Sequence, residues 1–337
     1  MKHSVAIMPE YPFPLAYGGI EVRASRFLQL LQASDCNVCW LDHYDRDQTF
    51  DLLHVFGNPP SILEAVEFAS VKGRVVIDAV LGGSGYSFGK RIIKLRSLSM
   101  GLLGARDEIS RVARAFSIAK IVIAITHGEA ELLNRLYDVP KSKIRVIPNC
   151  VDDKVWGATR DLFQERVGRQ PFVLYVGAIT PRKNPLMLLQ ALNRLGLQGV
   201  FIGPADPGCT TYVEAFREAL NVQGSHRWLG QLNHDDPLLA SAYAAATLFC
   251  LPSQNEGQPQ ALLEAMAAGN RAVIADRPWA NFPPFDHLRR AKLNIESLSE
   301  VIGSAMDDDS KPTRLGDEFR SSRYSGIVKA IYEEAML

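Results

Sequence analysis

The chain has 337 residues, of which 47% are hydrophobic and 22% charged, and its 37 basic residues equal its 37 acidic residues in number. This length exceeds that of an ordinary compact domain and favours two domains, each with its own core. The composition excludes a disordered or fibrous chain. The balanced charge excludes a global basic field, so no nucleic-acid partner is expected and any electrostatic site must be local.

The sequence predicts a cytoplasmic protein with reduced cysteines. The first apolar run, at 5–8, ends at Pro9 and is too short for the core of a signal peptide, and no later run reaches membrane-spanning length. Five cysteines, an odd number, fit thiols better than a disulfide framework. Cys36 and Cys39 form a C-x-x-C without a second pair, so neither a metal site nor a redox site is expected there.

Short β-rich runs alternate with helical patterns in the first half, which is typical of a parallel sheet with helical crossovers. The predicted strands lie at 3–8, 37–41, 51–56, 73–79, 120–125 and 143–147. The predicted helices lie at 20–33, 60–69, 90–116 and 127–136, with Gly101 and Gly104 as points where the third can break.

The alternation restarts after a polar stretch at 148–170 that is predicted to be irregular. The predicted strands of the second half lie at 171–176, 199–203, 226–229, 247–251 and 271–275. The predicted helices lie near 184–195, 210–222, 236–245 and 258–268. This pattern predicts an α/β protein with two doubly wound parallel sheets facing a cleft, with ligands at the carboxyl ends of the strands.

The helical stretch at 90–114 mixes basic residues with aliphatic ones, and two interpretations stay open. An interfacial helix would make a peripheral contact with anionic lipid, at the inner face of the membrane. An ordinary amphipathic helix would pack its apolar side on its own sheet. The basic residues are Lys90, Arg91, Lys94, Arg96, Arg106, Arg111 and Arg114.

The segment 251–269 predicts a strand, a polar loop and a helix that begins near Gly257. Backbone N–H groups and the dipole at that helix start suit a diphosphate. Glu264, on the helix, can accept two hydrogen bonds from a ribose diol, and Glu256, in the loop, can reach sugar hydroxyls. A capping acid and a solvated acid are the alternative interpretation. The predicted nucleotide-binding residues of this segment are Gly257, Gln258, Pro259, Gln260 and Glu264.

A second strand-to-helix turn carries two adjacent cations, Arg182 and Lys183. Cations at such a turn can stabilise the negative charge of a bound diphosphate. The alternative is a solvated helix start, although the helix dipole slightly disfavours basic residues there.

The segment 251–269 resembles the E-x7-E signature of glycosyltransferase family 4, including the flanking P-S-x-x-E-G and L-L-E-A-M-A-x-G patterns. The resemblance implies that Glu256 contacts the donor sugar and Glu264 the ribose. It also implies the GT-B fold of two Rossmann-like domains. The implied division is 1–150 for the acceptor domain, 151–320 for the donor-nucleotide domain, and 321–337 for a last helix that returns to the N-terminal domain.

Further segments resemble the family's pattern in the same order along the chain. The turn at 175–184 resembles the one whose basic residues clamp the donor diphosphate, which implies catalytic roles for Arg182 and Lys183. Three glycines stand where the family has strand ends around the donor nucleotide: Gly177, Gly203 and Gly230. Gly18, Gly19 and Glu21 resemble the family's glycine loop after the first strand. In the family, that loop approaches a phosphate or the acceptor.

The chain departs from the family at several positions. Ala178 stands where many members have Arg, so the diphosphate clamp depends on the two cations that follow. Asp78 ends the fourth strand where many members have His, which makes it the candidate contact of the reacting sugar. His54, on the third strand, is either a neighbour of the site or a satisfied histidine beneath it. A glycine-rich loop of the family is replaced by 276–279, with the sequence Asp-Arg-Pro-Trp.

The resemblance implies a retaining transfer of a sugar from a UDP-, GDP- or similar nucleotide donor, with no cofactor and no obligatory metal ion. The implied acceptors are a growing glycan, a lipid-linked sugar or a small molecule. Two alternatives stay open: a sugar-nucleotide epimerase of the same fold, and a degenerate sugar-nucleotide-binding protein without catalysis.

Overall fold

The computed structural model describes residues 3–11, 19–33, 36–57, 62–81, 88–102, 107–221 and 224–337. The chain divides into two compact units, which we call unit 1 (Met1–Cys150 with Ser321–Leu337) and unit 2 (Val151–Arg320). Within the described residues each unit contains one six-stranded sheet with helices around it. The predicted pair of Rossmann-like parallel sheets is therefore confirmed.

The sheet of unit 1 has the strand order β2-β1-β3-β4-β5-β6, and its recorded pairings are parallel. Its central strands are buried on both faces, as their runs of aliphatic residues require. The strands are β1 (Ser4–Pro9), β2 (Asn37–Trp40), β3 (Leu52–Phe56), β4 (Arg74–Asp78), β5 (Ile121–Ala124) and β6 (Ile144–Val146).

The first five helices also belong to unit 1. They are α1 (Gly19–Gln32), α2 (Ile62–Lys72), α3 (Phe88–Leu102), α4 (Glu108–Ile118) and α5 (His127–Tyr137). The predicted helix at 90–116 is thus two helices, because Asp107 caps a new one by accepting a hydrogen bond from the Ser110 backbone N–H. The residues between them, 103–106, lie outside the described part of the chain.

The sheet of unit 2 has the order β12-β11-β10-β7-β8-β9, again with parallel pairings. The strands are β7 (Val173–Val176), β8 (Gly199–Ile202), β9 (Arg227–Trp228), β10 (Leu248–Leu251), β11 (Arg271–Ala275) and β12 (Arg289–Ala291). The helices are α6 (Asp153–Trp156), α7 (Asp161–Arg166), α8 (Pro185–Leu195), α9 (Thr210–Leu220), α10 (Pro237–Ala245), α11 (Gln260–Ala267) and α12 (Ile295–Met306).

Two parts of unit 2 differ from the sequence prediction. The stretch at 148–170 is not irregular throughout, because it contains the short helices α6 and α7. Residue Phe163 of α7 is buried and stacks on Phe172, so this stretch contributes to the core of unit 2. Beyond residue 276 the sequence predicted no element before the last helix, whereas the structure has β12 and α12 there.

The last helix, α13 (Tyr324–Met336), follows unit 2 in sequence but belongs to unit 1. It packs against α1 and β4. Tyr332 of α13 lies in the same apolar cluster as Phe27 of α1 and Phe56 of β3. Within the described ranges, no helix combines the length and the apolar character needed to cross a membrane.

Candidate functional site

The site of unit 2 lies where its sheet changes direction. Strand β7 is hydrogen-bonded to β8 on one side and to β10 on the other. The chain therefore continues from β7 toward one side of the sheet, to β8, and from β10 toward the other side, to β11. In open α/β sheets the crevice at such a switch point, at the carboxyl ends of the strands, is the usual ligand site. The loop after β7 carries Arg182 and Lys183, and the loop after β10 carries Glu256.

Hydrogen bonds join these two loops directly. The backbone N–H of Gln254 donates to the Arg182 carbonyl at 2.8 Å, and the Gln254 side-chain amide donates to the Pro181 carbonyl at 3.2 Å. In return, Arg182 Nη1 donates to the Asn255 carbonyl at 2.7 Å. These bonds fix the position of the cationic turn relative to the acidic loop before any ligand is bound.

Three predicted site residues meet at this junction. Lys183 Nζ lies 2.7 Å from Glu256 Oε1, and Arg182 Nη1 lies 3.6 Å from Glu256 Oε2. The Glu256 and Lys183 side chains are 8% and 19% exposed, whereas that of Arg182 is 54% exposed. The arrangement places two cations and one carboxylate at the edge of the sheet, where an anionic ligand can exchange for the carboxylate.

Three predicted glycines lie side by side at the ends of β7, β8 and β9. The Gly177 backbone N–H donates to the Ile202 carbonyl at 2.8 Å, and the Gly203 backbone N–H donates to the Gly230 carbonyl at 2.7 Å. Gly203 has φ +144°, and a Cβ there would collide with the Gly177 carbonyl. A Cβ at Gly177 would lie 3.0 Å from the Tyr175 hydroxyl, so both glycines allow close packing at the ends of β7 and β8.

Tyr175, on β7, is a residue that the sequence analysis did not select. Its hydroxyl donates to the Ala178 carbonyl at 2.9 Å, which supports the first residues of the loop. Burial raises the pKa of Tyr175 well above its usual value, and the nearby Glu256 carboxylate raises it further. The phenol therefore stays protonated and acts as a donor that shapes the loop.

Helix α11 begins at Gln260, not near Gly257 as the sequence predicted. Pro259 explains the later start, because the residue before a proline disfavours helical backbone and proline fits the beginning of a helix. Gly257 and Gln258 therefore belong to the loop. Pro259, at the N-cap position, has no side chain that can cap the helix, and its carbonyl accepts from the backbone N–H groups of Leu262 and Leu263 at 3.2 Å. The positive end of the helix dipole at this start favours an anion.

Glu264 is nearly fully buried on α11 and has polar neighbours. The Gln260 side-chain amide donates to Glu264 Oε1 at 3.0 Å, and His234 Nε2 lies 3.6 Å from the same oxygen. Because Gln260 and His234 both orient this carboxylate, its geometry is fixed before a diol binds.

Two further residues were missed from the sequence. His234 lies four positions after Gly230, in the loop after β9. The sequence analysis expected this strand end to lie near the donor nucleotide, so the position of His234 in the loop could have identified it. Trp279 belongs to the unusual loop at 276–279, is buried, and donates from Nε1 to the Ser253 carbonyl at 3.1 Å. The loop at 276–279 is therefore hydrogen-bonded to the start of the acidic loop after β10.

The structure places Asp78 in a buried ion pair of unit 1. Arg23 Nε donates to Asp78 Oδ2 at 2.8 Å, and Arg23 Nη2 lies 2.7 Å from the same oxygen, with both side chains almost fully buried. Burial raises the pKa of the Asp78 carboxyl, and the Arg23 guanidinium opposes that rise. A contact between Asp78 and the reacting sugar stays a prediction, but the residue has a structural partner in place.

Arg23 also forms hydrogen bonds to residues 147–149, near the point where the chain passes from unit 1 to unit 2. Its guanidinium donates to the carbonyls of Ile147 at 3.0 Å and Pro148 at 3.2 Å, and to the side-chain oxygen of Asn149 at 3.0 Å. Arg26, one turn along α1, donates to the Cys150 carbonyl. The N-terminal helix therefore fastens the last residues before the chain enters unit 2.

His54 is fully buried in unit 1, on the same face of the sheet as Asp78. Its Nδ1 and the Tyr332 hydroxyl share a hydrogen bond of 2.6 Å, and its ring contacts Phe27 and Phe56. Burial lowers the pKa of His54 well below its usual value, and the Arg23 charge lowers it further, so the ring is neutral. Its Nε2 is buried without a hydrogen-bond partner in the described part of the chain, so the ring is satisfied at one nitrogen and both interpretations stay open.

The predicted glycine loop is described only in part. Gly18 lies outside the described residues, while Gly19 is the first residue of α1 and Glu21 lies in its first turn. A Cβ added at Gly19 would meet no described atom within 4 Å. The role of these three residues at a phosphate or acceptor stays a prediction.

The two cysteines of the C-x-x-C are separated by their exposure. Cys36 is buried and Cys39 is exposed, and neither forms a disulfide bond. Within the described part of the chain, no group of three or more His, Cys, Asp or Glu residues is arranged to hold a metal ion.

Comparison with known proteins adds to this geometry. The family model of glycosyl transferases group 1 matches residues 159–283, which include the whole site of unit 2, and the model of glycosyltransferase family 4 matches residues 39–155. The chain is 28% identical over 218 residues to D-inositol 3-phosphate glycosyltransferase of Xylanimonas cellulosilytica, covering 60% of this chain and 52% of that protein. It is 27% identical over 197 residues to O-antigen chain mannosyltransferase B of Escherichia coli, covering 56% and 46%.

The chain spans about half the length of these curated relatives. Among solved structures it is similar to HepE of Anabaena in complex with UDP and glucose, with a TM-score of 0.67 and 15% sequence identity. That similarity covers 99% of this chain and 97% of the other. At this identity the similarity establishes the fold.

Proposed function

Because the chain belongs to the group 1 glycosyltransferases of the family 4 type, we propose that it transfers a sugar from a nucleotide-sugar donor to an acceptor with retention of anomeric configuration. The resemblance to this family is confirmed by the two family models. Unit 2 would bind the donor nucleotide and unit 1 the acceptor, which is a growing glycan, a lipid-linked sugar or a small molecule.

The observation that carries the proposal is the cluster of Lys183, Arg182 and Glu256 at the switch point of unit 2. A nucleoside diphosphate needs cations near its bridging and terminal oxygens, and the turn after β7 offers two. Glu264 lies on the helix that follows the acidic loop, held by Gln260 and His234, where a ribose diol can donate to it. One edge of one sheet thus offers the groups that a sugar nucleotide requires.

In the proposed reaction, the bond between the sugar's anomeric carbon and the diphosphate oxygen breaks while the acceptor oxygen bonds to the same face of that carbon. Negative charge grows on the departing diphosphate, and Lys183 and Arg182 stabilise it more strongly than in the ground state. A diphosphate oxygen takes the proton of the acceptor hydroxyl. Glu256 has both carboxylate oxygens near cations, which favours hydrogen bonding to the sugar over nucleophilic attack.

We also propose that no metal ion is required. The cationic pair and the first turn of α11 supply positive potential at the place where a divalent ion would otherwise neutralise the diphosphate. Turnover in excess EDTA is expected to equal turnover without it. Complete loss in EDTA that manganese or magnesium restores would contradict this part of the proposal.

A two-stage experiment tests the proposed activity. Thermal shift with UDP-, GDP-, ADP- and dTDP-sugars identifies the donor, because a ligand at 100 times its Kd stabilises the folded protein by roughly 2.7 kcal/mol. The donor is then incubated with candidate acceptors, and products are analysed by mass spectrometry and by NMR of the anomeric proton. A glycosylated acceptor with the donor's anomeric configuration is expected, together with free nucleoside diphosphate.

Other outcomes of this experiment would contradict the proposed activity or its mechanism. An epimerised sugar nucleotide with no transfer would show an epimerase. A donor-dependent thermal shift without any product would show a sugar-nucleotide-binding protein. Transfer with inverted configuration would leave the donor site in place but overturn the front-side mechanism.

A further inference from the structure

Over residues 89–99, helix α3 exposes its aliphatic side chains and uses polar ones to contact the rest of unit 1. The structure describes its side chains at 89–99, and it packs on α4 and α5. Ser97 is the buried residue of this segment, and its hydroxyl donates to Asp107 Oδ1 at 2.8 Å. Lys94 also points inward, with Nζ 2.5 Å from Asp138 Oδ1. Polar side chains therefore attach α3 to the rest of unit 1.

The aliphatic side chains at 89–99 of α3 are partly exposed to solvent. About half of each is exposed: Ile92 54%, Ile93 49%, Leu95 59% and Leu98 55%. Three of them, each three positions from the next, form one stripe along the helix. An ordinary helix of this protein behaves in the opposite way, since α8 buries Leu188, Leu189 and Leu192. The two helices of the predicted stretch thus differ, because α4 buries Val112, Ala115 and Phe116 as an ordinary amphipathic helix does.

The charge of α3 indicates what covers this surface. The helix carries four basic residues and no acidic one. Arg91 and Arg96 are exposed beside the apolar stripe. The basic residues of α4 differ, because Arg111 and Arg114 form ion pairs with Glu64 and Glu67 of α2. Of these two helices, the described part of α3 therefore combines exposed aliphatic with exposed basic side chains.

We propose that α3 docks unit 1 on an anionic lipid surface, lying in the plane of the interface. Its aliphatic stripe would enter the boundary between headgroups and acyl chains, while Arg91 and Arg96 extend to the lipid phosphates. Its 15 residues extend roughly 22 Å, which is shorter than the hydrocarbon core and fits a helix that lies on the bilayer. The proposal is independent of glycosyl transfer, because it concerns binding without donor or acceptor.

The test is co-sedimentation of the full chain with vesicles of phosphatidylcholine, with and without phosphatidylglycerol. Binding to the anionic vesicles is expected, with a large decrease in 1 M salt, where the screening length falls to about 3 Å. The variant with Ile92→Ser, Leu95→Ser and Leu98→Ser should lower the partition coefficient roughly 30-fold or more. Arg91→Gln with Arg96→Gln should lower it roughly 30-fold on anionic vesicles, since each basic residue near such a surface contributes about 1 kcal/mol.

Ile327→Ser is the matched control, because Ile327 is a 47% exposed aliphatic residue on α13 of the same unit. It should leave vesicle binding unchanged, and thermal melting should show that all variants stay folded, since about half of each replaced aliphatic side chain is already exposed. Absence of vesicle binding by the wild type, or equal loss in the control, would overturn the proposal. So would a wild-type dimer that the serine variant converts to a monomer, because a second copy of the chain would then be the occupant.

Discussion

Each unit places an arginine against a carboxylate near the carboxyl ends of its strands, but the two pairs differ in what surrounds them. In unit 2, Arg182 and Lys183 approach Glu256 at the edge of the sheet, and the Arg182 side chain is largely exposed. In unit 1, Arg23 and Asp78 are almost completely buried, and Arg23 also holds backbone carbonyls of the same unit.

The difference shows how one pair of residue types can serve two purposes. A buried guanidinium whose donors all have acceptors within the protein stabilises one backbone arrangement, and removing a partner leaves an uncompensated charge. A partly exposed cation opposite a single carboxylate can instead exchange that carboxylate for the anion of a ligand. We therefore expect substitutions in unit 1 to affect stability first, and substitutions in unit 2 to affect turnover and binding.

The largest expected effect is that of Asp78→Ala on stability. Removing one partner of a buried ion pair typically costs about 3–5 kcal/mol of unfolding free energy, because Arg23 would remain buried with an unpaired charge. Urea denaturation without any ligand measures it. Glu131→Ala, which removes an exposed pair with Arg135 on α5, is the control and should cost roughly 0.3–0.5 kcal/mol.

A combined result would separate the two roles considered for Asp78. Loss of stability in the ligand-free protein supports the structural pair with Arg23. If Asp78→Ala keeps wild-type stability but abolishes turnover, the carboxylate acts on the substrate and the comparison between the units fails.

The next effect is that of Lys183→Ala on turnover. Because charge on the leaving diphosphate grows in the transition state, kcat should fall roughly 100- to 1,000-fold, as when one oxyanion donor is removed. Stability should change little, since Arg182 still compensates Glu256. Steady-state kinetics and thermal melting on the same preparation measure both quantities.

Two other variants calibrate that result. Arg182→Ala should be milder than Lys183→Ala, because Arg182 is more exposed and its nitrogen lies 3.6 Å from Glu256 while that of Lys183 lies at 2.7 Å. Arg194→Ala removes an exposed arginine from α8 and should leave kcat unchanged. Near-normal kcat in Lys183→Ala would mean that Lys183 is an ordinary residue at a helix start.

The sequence predicted the fold and the members of the unit 2 site because both depend on local patterns. Alternating strands and helices placed the ends of β7 and β10, and Glu256 and Lys183 follow those ends. The sequence did not predict β12, since this short edge strand contains two arginines and is defined by its pairing with β11. The start of α12 had a local signal that was not used, the Asn294 side chain that accepts from the Ser297 backbone N–H.

Orientation and long-range partners were the features that the sequence could not supply. The composition of α3 indicated an amphipathic helix, but the side it buries depends on Asp107 and Asp138 of other segments. Asp78 was placed correctly at the end of β4, yet its partner Arg23 lies 55 positions away in sequence. Neither relation appears in the local pattern of residues.

A smaller effect is expected for Glu264→Ala, on binding. A ribose diol is present in the ground state and the transition state alike, so this variant should weaken donor binding and leave kcat nearly unchanged. Losing hydrogen bonds to a charged acceptor costs roughly 1.5–3 kcal/mol, or about 10- to 150-fold in affinity. Calorimetry should show the same loss for free UDP or GDP as for the intact donor. A loss confined to the intact donor would place Glu264 at the sugar.

Glu256→Gln should have the smallest effect on nucleotide binding, and this result would distinguish the two carboxylates. In the ligand-free protein Glu256 lies against Lys183 and Arg182, so a neutral amide removes an anion that competes with the diphosphate for those cations. Free UDP or GDP should therefore bind the variant at least as well as the wild type. Turnover should fall, or the choice of sugar should relax, because the proposed contact with sugar hydroxyls is changed. The same calorimetry and kinetics as for Glu264→Ala measure both. If Glu256→Gln weakens free nucleotide as much as Glu264→Ala does, the two roles are wrongly assigned; if neither variant affects any ligand, the edge of the unit 2 sheet is not the donor site.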